Sequence, residues 1–474
     1  MNILFAASEG YPFSKTGGLG DVIGALPKEL AKEGADVQVV LPKYASIPEQ
    51  FAEDMTYIAS LTVPVGWRNQ YCGLFSLEKD GVLYYFIDNE YYFKRPDSYG
   101  YYDDGERFAF FSRAILEIIP FLEKKPDVLH LHDWQTAMAS LLLKAHYRYH
   151  PDYQQIKTVF TIHNLRYQGV FPHSVLHDLY DLSNMYFHPD GVEYYGNVNF
   201  MKAGIVYSDA VTTVSPSYAE EIQTPYYGEG LDGLLRKHNG KLTGILNGID
   251  TDLYNPNTDS SLYVQYEHDL EAKAQNKVQL QRELGLEENR NKPMIVLISR
   301  LTDQKGIDLI LHVMAEMASL DMQFVVLGTG EKRYEEGFRQ SGEHFRENLS
   351  VHLMFDDSFA RKLYGASDIL LMPSVFEPCG ISQLLALRYG SLPIVRETGG
   401  LKDTVKPHNR FTGEGHGFSF ANYNAHELLF TIERAIHLYH ERPQVWKRMA
   451  RRALELDFSW NASSLEYLKL YHSL

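Results

Sequence analysis

Apolar runs alternate with stretches of helical spacing along the first half of the chain. Residues 21–34 have helical spacing and end at a glycine, so they predict a helix. Five apolar runs predict β-strands, at residues 2–8, 36–42, 127–132, 158–162 and 210–215. Strands that alternate with helices are typical of a parallel sheet covered by helices on both faces. We therefore predict a doubly wound α/β domain.

The alternation weakens in a polar stretch at 237–241 and then resumes. Four further apolar runs predict strands, at 294–299, 324–328, 369–372 and 392–395, and residues 307–317 predict a helix. We expect two Rossmann-like doubly wound domains that face each other across a cleft, over residues 1–245 and 246–456. Ligands of such sheets bind outside the carboxyl ends of the strands.

Length and charge narrow the function classes. With 474 residues the chain is too long for one hydrophobic core. Its net charge of −16 argues against nucleic acid or an anionic membrane as a partner. No apolar run approaches membrane-spanning length, and the N-terminus lacks a basic leader. Two cysteines, Cys72 and Cys379, fit a cytoplasmic protein and provide no disulfide framework or cysteine-based zinc site.

Tyrosine is abundant, at 33 residues, and aromatic clusters occur at 84–86, 91–93 and 99–102. Such rings offer flat faces and hydroxyl groups to sugars. Ordinary packing at strand and domain surfaces is at least as good an interpretation of each cluster.

Residues 374–383 carry the most informative chemistry. The apolar run before them predicts a buried strand that delivers Glu377 to its carboxyl end, and Pro378 then turns the chain into a helix that opens around Gly380. Free N–H groups and the positive dipole end of a helix form an anion site. A carboxylate beside an anion site fits a ligand with hydroxyls and phosphates, such as a nucleotide sugar.

A glycine-rich segment, 15–21, joins the first predicted strand to the first helix. Its glycines let the backbone approach a phosphate or sugar, and Lys15 supplies a positive charge. The dinucleotide motif G-x-G-x-x-G fails because Ile23 stands at its last position, and no P-loop lysine follows. A glycine turn without a ligand is an equal alternative.

Polar clusters follow two further strands of the first domain. His163 comes at the end of strand 158–162, near Asn164 and Gln168, which favours a sugar-hydroxyl site over a purely structural histidine. Asp133 follows strand 127–132. It either contacts an acceptor or caps the next helix, and the sequence leaves both interpretations open.

Arg300 and Lys305 flank a short loop after strand 294–299. Arginine binds phosphate bidentately and lysine as a point charge, so the pair can clamp a diphosphate. The alternative is a surface Arg300 paired with Asp303; we favour the clamp because an acidic protein must hold an anion in a local cationic site. No HExxH or Asp-x-Asp motif stands at a strand end. We therefore predict no metal site and expect these cations to take the charge that Mg²⁺ carries elsewhere.

Together these motifs resemble the bacterial glycogen synthase and plant starch synthase family. They span the chain in the family's order: Lys15-Thr16-Gly17-Gly18, His132-Asp133-Trp134, His163-Asn164-Leu165, Leu246-Asn247-Gly248-Ile249-Asp250, Ser299-Arg300-Leu301, Glu377-Pro378-Cys379-Gly380 and Thr398-Gly399-Gly400-Leu401. Each motif is weak alone, but the complete ordered set is highly specific.

The resemblance implies a GT-B glycosyltransferase fold in which the tail, 457–474, joins the first domain. It implies transfer of glucose from ADP-glucose to the non-reducing 4-hydroxyl of an α-1,4-glucan such as glycogen, with retention and without metal or cofactor. It also assigns residues. The catalytic set is Arg300, Lys305, Glu377 and His163. The donor-binding set is Lys15, Gly17, Gly18, Asn247, Phe355, Cys379, Gly380, Ile381 and Ser382. The acceptor-binding set is Asp133, Glu9 and Tyr167.

The chain departs from the broader glycosyltransferase pattern at Leu385, where a second glutamate usually binds ribose. The synthase family often lacks this glutamate too. Glu377 is better placed as a sugar-hydroxyl ligand than as a nucleophile. We therefore expect front-face attack, with Arg300, Lys305 and the helix N-terminus at Gly380 stabilising the ADP leaving group.

Other functions fit parts of the sequence. A different nucleotide-sugar enzyme of the same fold would change only the base or sugar, since Phe355, where the family often has Tyr, does not fix the base. A non-catalytic glucan-binding protein needs no diphosphate clamp. A dinucleotide oxidoreductase is disfavoured by the failed glycine motif, and a phosphorylase would need a lysine-bound pyridoxal phosphate.

Overall fold

A computed structural model describes all residues from Met1 to Leu474. The chain divides into two compact units. Unit 1 comprises Met1–Asn247 and Trp460–Leu474, and unit 2 comprises Gly248–Ser459. No helix combines the length and the apolar character that crossing a membrane requires.

Unit 1 contains twelve strands. They are β1 (Asn2–Ala6), β2 (Asp36–Pro42), β3 (Thr56–Val65), β4 (Arg68–Lys79), β5 (Val82–Asp88), β6 (Val128–His132), β7 (Lys157–Ile162), β8 (Val170–Pro172), β9 (Glu193–Tyr194), β10 (Asn197–Asn199), β11 (Ala210–Thr213) and β12 (Leu242–Gly244). Nine of them form one sheet in the order β12-β11-β7-β6-β1-β2-β5-β4-β3, and β8, β10 and β9 form a small separate sheet.

The central strands of this sheet are apolar throughout because both of their faces are covered. Along β1, Ile3 and Phe5 pack into one hydrophobic core, while Leu4 and Ala6 pack into the core on the other side. The helices of this part of unit 1 are α1 (Gly18–Lys32), α2 (Glu49–Asp54), α3 (Glu90–Phe93), α4 (Asp104–Glu117), α5 (Trp134–Leu142), α6 (Val175–Asp178), α7 (Phe200–Tyr207), α8 (Pro216–Glu221) and α9 (Asp232–Lys237).

The sheet of unit 1 is mixed, so the expectation of a purely parallel sheet is wrong at one edge. Strands β3, β4 and β5 pair antiparallel, whereas β5 pairs parallel with β2. Residues of β3 are mostly exposed or half-buried, so the strand lacks the continuous apolar run of a doubly covered strand. The aromatic cluster of Tyr84, Tyr85 and Phe86 lies buried in β5, where it packs and is not available to a sugar.

Unit 2 has a six-stranded parallel sheet. Its strands are β13 (Met294–Ile298), β14 (Gln323–Leu327), β15 (Leu349–His352), β16 (Ile369–Met372), β17 (Leu392–Arg396) and β18 (Phe418–Phe420). They are ordered β15-β14-β13-β16-β17-β18, and every neighbouring pair is parallel. Alternate residues of β13 again face opposite cores.

The remaining helices are α10 (Leu270–Leu284), α11 (Ile307–His312), α12 (Met314–Ala318), α13 (Lys332–His344), α14 (Asp357–Ala366), α15 (Ser382–Arg388), α16 (Gly399–Thr404), α17 (Ala425–Glu441), α18 (Pro443–Leu454) and, in unit 1, α19 (Trp460–His472). The helix expected at 307–317 is interrupted at Val313, whose backbone leaves the helical region. The helix after β1 begins at Gly18, three residues earlier than expected.

Both main sheets have a point where successive strands are added in opposite directions. In unit 1 it lies between β1 and β6, and in unit 2 between β13 and β16. Open α/β sheets bind ligands at the carboxyl ends of the strands at such a point. The loops after these four strands are therefore the expected positions of ligand-binding residues.

Candidate active site

In unit 2 the loops after β13 and β16 are tied together. Val375 N–H donates a hydrogen bond to the carbonyl oxygen of Gln304 at 2.9 Å, and the Gln304 side chain donates to the carbonyl of Phe376. Arg300, Lys305 and Glu377 lie on these joined loops. Glu377 comes five residues after the end of β16, so the loop at the carboxyl end of the strand carries it.

Lys305 and Glu377 form an ion pair. Lys305 Nζ lies 2.6 Å from Glu377 Oε2, and the Ser374 hydroxyl donates to the same oxygen at 3.0 Å. Both side chains are sheltered, with 16% of the lysine and 8% of the glutamate side chain exposed. A charge-assisted bond in such surroundings is stronger than one in water, so the carboxylate holds the ammonium group in a defined place.

Arg300 is exposed in the same loop, two residues after β13 ends. The alternative in which it pairs with Asp303 is wrong. The Asp303 carboxylate instead accepts hydrogen bonds from Arg333 and Tyr334 of α13. Arg300 and the Lys305 ammonium therefore supply two positive charges at the switch point of unit 2.

The helix after Glu377, α15, begins at Ser382 and not at Gly380, with Ile381 at its N-cap position. Gly380 has a φ of +74°, which favours glycine, and a Cβ there would lie 2.4 Å from the Gln383 amide oxygen. That amide nitrogen donates to the carbonyls of Cys379 and Gly380, both at 3.0 Å. The turn is thus fixed by the first turn of α15 itself.

The Thr398-Gly399-Gly400 motif holds the loop that carries Glu377 in place. Gly400 N–H donates to the carbonyl of Glu377 at 3.1 Å, and a Cβ on Gly400 would lie 2.1 Å from the Cys379 carbonyl oxygen. The start of α16 therefore packs on this loop backbone to backbone, which only glycine allows. Buried Cys379 is part of that packing.

Phe355 lies at a different strand end of unit 2. It is in the loop between β15 and α14, and its side chain is 83% exposed. An aromatic ring this exposed at a strand's carboxyl end is free to stack on a flat ligand.

In unit 1 the glycine-rich segment is organised by Glu9. The Glu9 carboxylate is buried and accepts hydrogen bonds from the N–H groups of Thr16 (2.7 Å), Gly17 (3.2 Å) and Gly20 (3.0 Å). Burial raises the pKa of Glu9, and these bonds oppose that rise. The backbone groups expected to approach a ligand are therefore occupied by a side chain of the protein.

Lys15 is the positively charged group of this segment. Its ammonium nitrogen lies 2.7 Å from Asp21 on α1, and both side chains are about a quarter exposed. Gly18 is the first residue of α1. Contact of Glu9 with an acceptor stays a prediction, with the carboxylate engaged by the loop.

Asp133 lies at the N-cap position of α5, but its side chain does not cap the helix. The cap interpretation is wrong. Asp133 Oδ1 instead accepts the backbone N–H of His163 at 2.8 Å, which joins the loops after β6 and β7. Burial raises the pKa of Asp133 to about 7, although hydrogen bonds from the backbone of His163 and Asn164 oppose the rise.

The His163 ring contacts a second histidine that sequence reasoning did not assign to the site. His163 Nε2 lies 2.9 Å from His132 Nδ1. Burial lowers the pKa of His163 to about 3, so the ring is neutral at pH 7. His132 stands in the motif with Asp133, but its place inside an apolar strand pattern gave no signal of this contact.

A cleft of about 440 Å³ opens beside the His163 loop in unit 1. Its lining residues are Trp134, Arg166, Tyr167, Gln168, Gly169, Val170, Tyr194 and Glu229. Only Tyr167, 51% exposed, was predicted as a site residue. Tyr194 and Glu229 belong to distant segments, so no local motif marks them.

Asn247 is buried, and its amide oxygen has no hydrogen-bond partner. No group of three or more His, Cys, Asp or Glu side chains in the structure is arranged to hold a metal ion.

The two doubly wound units, together with the matches to known proteins, identify the chain as a glycosyltransferase of the GT-B fold. The family model for the starch synthase catalytic domain matches residues 2–237, and the model for group 1 glycosyl transferases matches residues 282–453.

The chain belongs to the glycogen synthase and starch synthase family. It is 54% identical to the glycogen synthases of Bacillus cereus (strain ATCC 10987) and Bacillus anthracis, with full coverage of both chains in each comparison. It is 55% identical to that of Clostridium novyi (strain NT), covering 100% of this chain and 99% of the relative.

Two solved structures have a similar fold. The catalytic domain of starch synthase IV from Arabidopsis thaliana, bound to ADP and acarbose, superposes with a TM-score of 0.94 at 35% identity, covering 99% of this chain and 98% of that one. Sucrose-phosphate synthase from Thermosynechococcus elongatus superposes with a TM-score of 0.63 at 17% identity over 100% of this chain and 98% of that one, which is a likeness of fold.

Proposed function

We propose that this enzyme is a glycogen synthase that transfers glucose from ADP-glucose to the non-reducing 4-hydroxyl of an α-1,4-glucan, with retention and without a metal ion. The observation that carries the proposal is the cationic loop at the switch point of unit 2. Arg300 and Lys305 lie on it, and Glu377 fixes Lys305 at 2.6 Å. This combination suits a sugar diphosphate, which brings negative charge and hydroxyl groups together.

The leaving group determines the chemistry that these residues perform. As the bond between the anomeric carbon and the diphosphate oxygen breaks, negative charge grows on ADP. Arg300, the Lys305 ammonium and the N–H groups at the start of α15 stabilise that charge. The acceptor O4 forms the new bond on the face that ADP leaves, and its proton passes to the departing phosphate oxygen.

Glu377 acts as a hydroxyl ligand and not as a nucleophile. One of its oxygens already accepts from Lys305 and from Ser374. A nucleophilic carboxylate would have to approach the anomeric carbon closely. We assign Glu377 to the donor glucose hydroxyls and to the placement of Lys305.

His163 serves as a hydrogen-bonding group beside the reacting sugar. A general base works best when its pKa is near the working pH. The pKa of His163, lowered to about 3 by burial, makes the ring a weak base. This supports assigning the proton transfer to the leaving phosphate.

We assign the other residues by region. Lys15, Gly17, Gly18 and Asn247 of unit 1, and Phe355, Cys379, Gly380, Ile381 and Ser382 of unit 2, bind the donor, with Phe355 stacking on adenine. Asp133, Glu9 and Tyr167 belong to the acceptor side. The cleft beside Tyr167 offers rings of Trp134 and Tyr194 and polar groups to a glucan chain.

The test is incorporation of labelled glucose into glycogen from ADP-glucose or UDP-glucose, with and without EDTA. We expect incorporation from ADP-glucose that EDTA does not reduce, and complete digestion of the product by an α-1,4-specific glucanase. Incorporation from UDP-glucose alone would overturn the base assignment, loss with EDTA would overturn metal independence, and a resistant product would overturn retention.

A further inference from the structure

His132 is fully buried on β6, next to the site but pointing away from solvent. Its Nδ1 lies 2.9 Å from His163 Nε2, and its own Nε2 is buried without any hydrogen-bond partner. The ring stacks on Phe5, with centroids 5.4 Å apart and planes 16° from parallel. His132 is therefore held rigidly and has one polar contact from its ring, to His163.

The surroundings of the other ring nitrogens indicate which histidine donates the hydrogen bond between the two rings. Burial lowers the pKa of both histidines, so each ring is neutral at pH 7 and carries one N–H. If His163 Nε2–H donated, His132 would have to carry its proton on Nε2, as a buried donor without an acceptor. If His132 Nδ1–H donates, Nε2 of His132 is only an unused acceptor.

Proteins tolerate an unused buried acceptor better than an orphaned buried N–H, which is rare. The second arrangement is therefore favoured. It has a consequence for His163: with Nε2 accepting, the proton of the His163 ring must be on Nδ1. Free histidine prefers the opposite tautomer, with the proton on Nε2.

We infer that His132 is a positioning residue: its Nδ1–H donates to Nε2 of His163 and fixes His163 as the Nδ1–H tautomer. His163 then presents a hydrogen-bond donor from its remaining nitrogen. Asp133 holds the backbone N–H of the same residue at 2.8 Å, so the ring and the main chain of His163 are each anchored. The kinetic consequence rests on the proposed function, in which His163 lies beside the reacting sugar; the tautomer itself does not.

The primary test is the ¹⁵N–¹H long-range correlation spectrum of histidine-labelled protein at pH 7, with the His163 signals assigned from their loss in His163→Asn. We expect the Nδ1–H pattern for His163 in the unsubstituted protein. An Nε2–H pattern, or that of an imidazolium ring, would overturn the inference. Because this readout needs no substrate, it separates the inference from the proposed function.

Three variants test the role of His132. His132→Asn keeps an N–H at the place of Nδ1, so it should preserve the His163 tautomer and keep kcat within about threefold. His132→Leu has no such N–H, so His163 should lose the tautomer. In this variant kcat should fall on the order of tenfold at nearly constant KM for ADP-glucose. The control is Tyr471→Phe on α19, which removes the 2.7 Å bond to His130 and leaves the His132–His163 contact intact.

The outcomes are distinct. Loss of the tautomer and of kcat in His132→Leu, with rescue by asparagine and no change in Tyr471→Phe, supports the inference. An unchanged tautomer or unchanged kcat in folded His132→Leu overturns the positioning role. If neither His132 variant folds, the spectrum of the unsubstituted protein, assigned with His163→Asn, still decides the tautomer. No glucose incorporation by the unsubstituted protein, with the Nδ1–H pattern present, would overturn the proposed function alone.

Discussion

Each unit has a doubly wound sheet with polar loops at the switch point, but the charged groups at the two switch points have different partners. In unit 1 the Glu9 carboxylate is bound by backbone N–H groups, and His163 is neutral. In unit 2 Arg300 is exposed, and Lys305 is held by a single carboxylate. The same sheet architecture thus carries two cationic groups at the switch point of unit 2 and, in unit 1, a carboxylate bound by backbone N–H groups; the loops make this difference.

The role of the cations of unit 2 is tested by removing them. Arg300→Ala and Lys305→Ala should each lower kcat on the order of 10²-fold or more, because each removes stabilisation of charge that develops in the transition state. Steady-state incorporation of glucose measures the effect. Arg339→Ala on α13, which removes an exposed arginine paired with Glu336, is the matched control and should keep normal kcat. Near-normal kcat in either site variant would contradict the assignment.

In unit 1 we expect the Glu9 carboxylate to stabilise the fold of the glycine-rich segment. Glu9→Ala leaves the N–H groups of Thr16, Gly17 and Gly20 without their acceptor, which should lower the thermal midpoint by roughly 2–4 °C for each kcal/mol of stability lost. Glu9→Gln keeps an acceptor oxygen and should lose less. Calorimetry of the full chain measures the shift. Glu29→Ala on α1 removes only an ion pair with the half-exposed Lys32 and serves as control. A Glu9→Ala variant as stable as this control would show that the loop does not depend on Glu9.

We expect Asp133 to make the stability of the protein depend on pH. Its pKa is raised from 3.8 to about 7 in the folded protein, so folding favours the protonated form. The unsubstituted protein should therefore lose stability relative to Asp133→Asn as pH rises from about 4 to about 7, by at most about 1.4 kcal/mol per pH unit, and no further above that. Melting curves at pH 5 and pH 8 measure the difference. The exposed Asp54→Asn provides the control, and a difference independent of pH for Asp133→Asn would contradict the burial argument.

The smallest expected effect concerns the cleft of unit 1. Tyr167→Ala should raise KM for glycogen roughly three- to tenfold with little change in kcat, because it removes an aromatic face from binding and not from the reaction. Tyr149→Ala, an exposed tyrosine outside the cleft, should leave KM unchanged. An equal response of the two variants would remove the cleft from the acceptor side.

The sequence predicted central strands of both sheets, because strands covered on both faces are continuous apolar runs. β2 and β16 have the predicted bounds. Strands β3 and β4 were missed because an antiparallel edge with one exposed face has no such run. The break at Val313 was missed for another reason, since the apolar spacing continues through it.

The positions of candidate residues were predictable where a motif lies at a strand end: Arg300, Lys305 and His163 all lie in loops that follow predicted strands. Which site residues contact each other was not predictable, because this depends on which loops the strand order of the sheet brings together. The Lys305–Glu377 pair joins loops 72 residues apart, and the Asp133–His163 bond joins loops 30 apart. Glu9 shows the same limit: its glycine-rich partner is next to it in sequence, but only the structure reveals that the carboxylate occupies the loop.

The ratio of ADP to AMP affinity, determined by calorimetry for the unsubstituted protein, Arg300→Ala and Lys305→Ala, tests whether these residues bind the diphosphate. If these residues hold the terminal phosphate, ADP should bind much more tightly than AMP to the unsubstituted protein, and the advantage should collapse in both variants while AMP affinity changes little. An ADP advantage that persists in both variants would contradict the claim that the cations of unit 2 bear the charge of the leaving group.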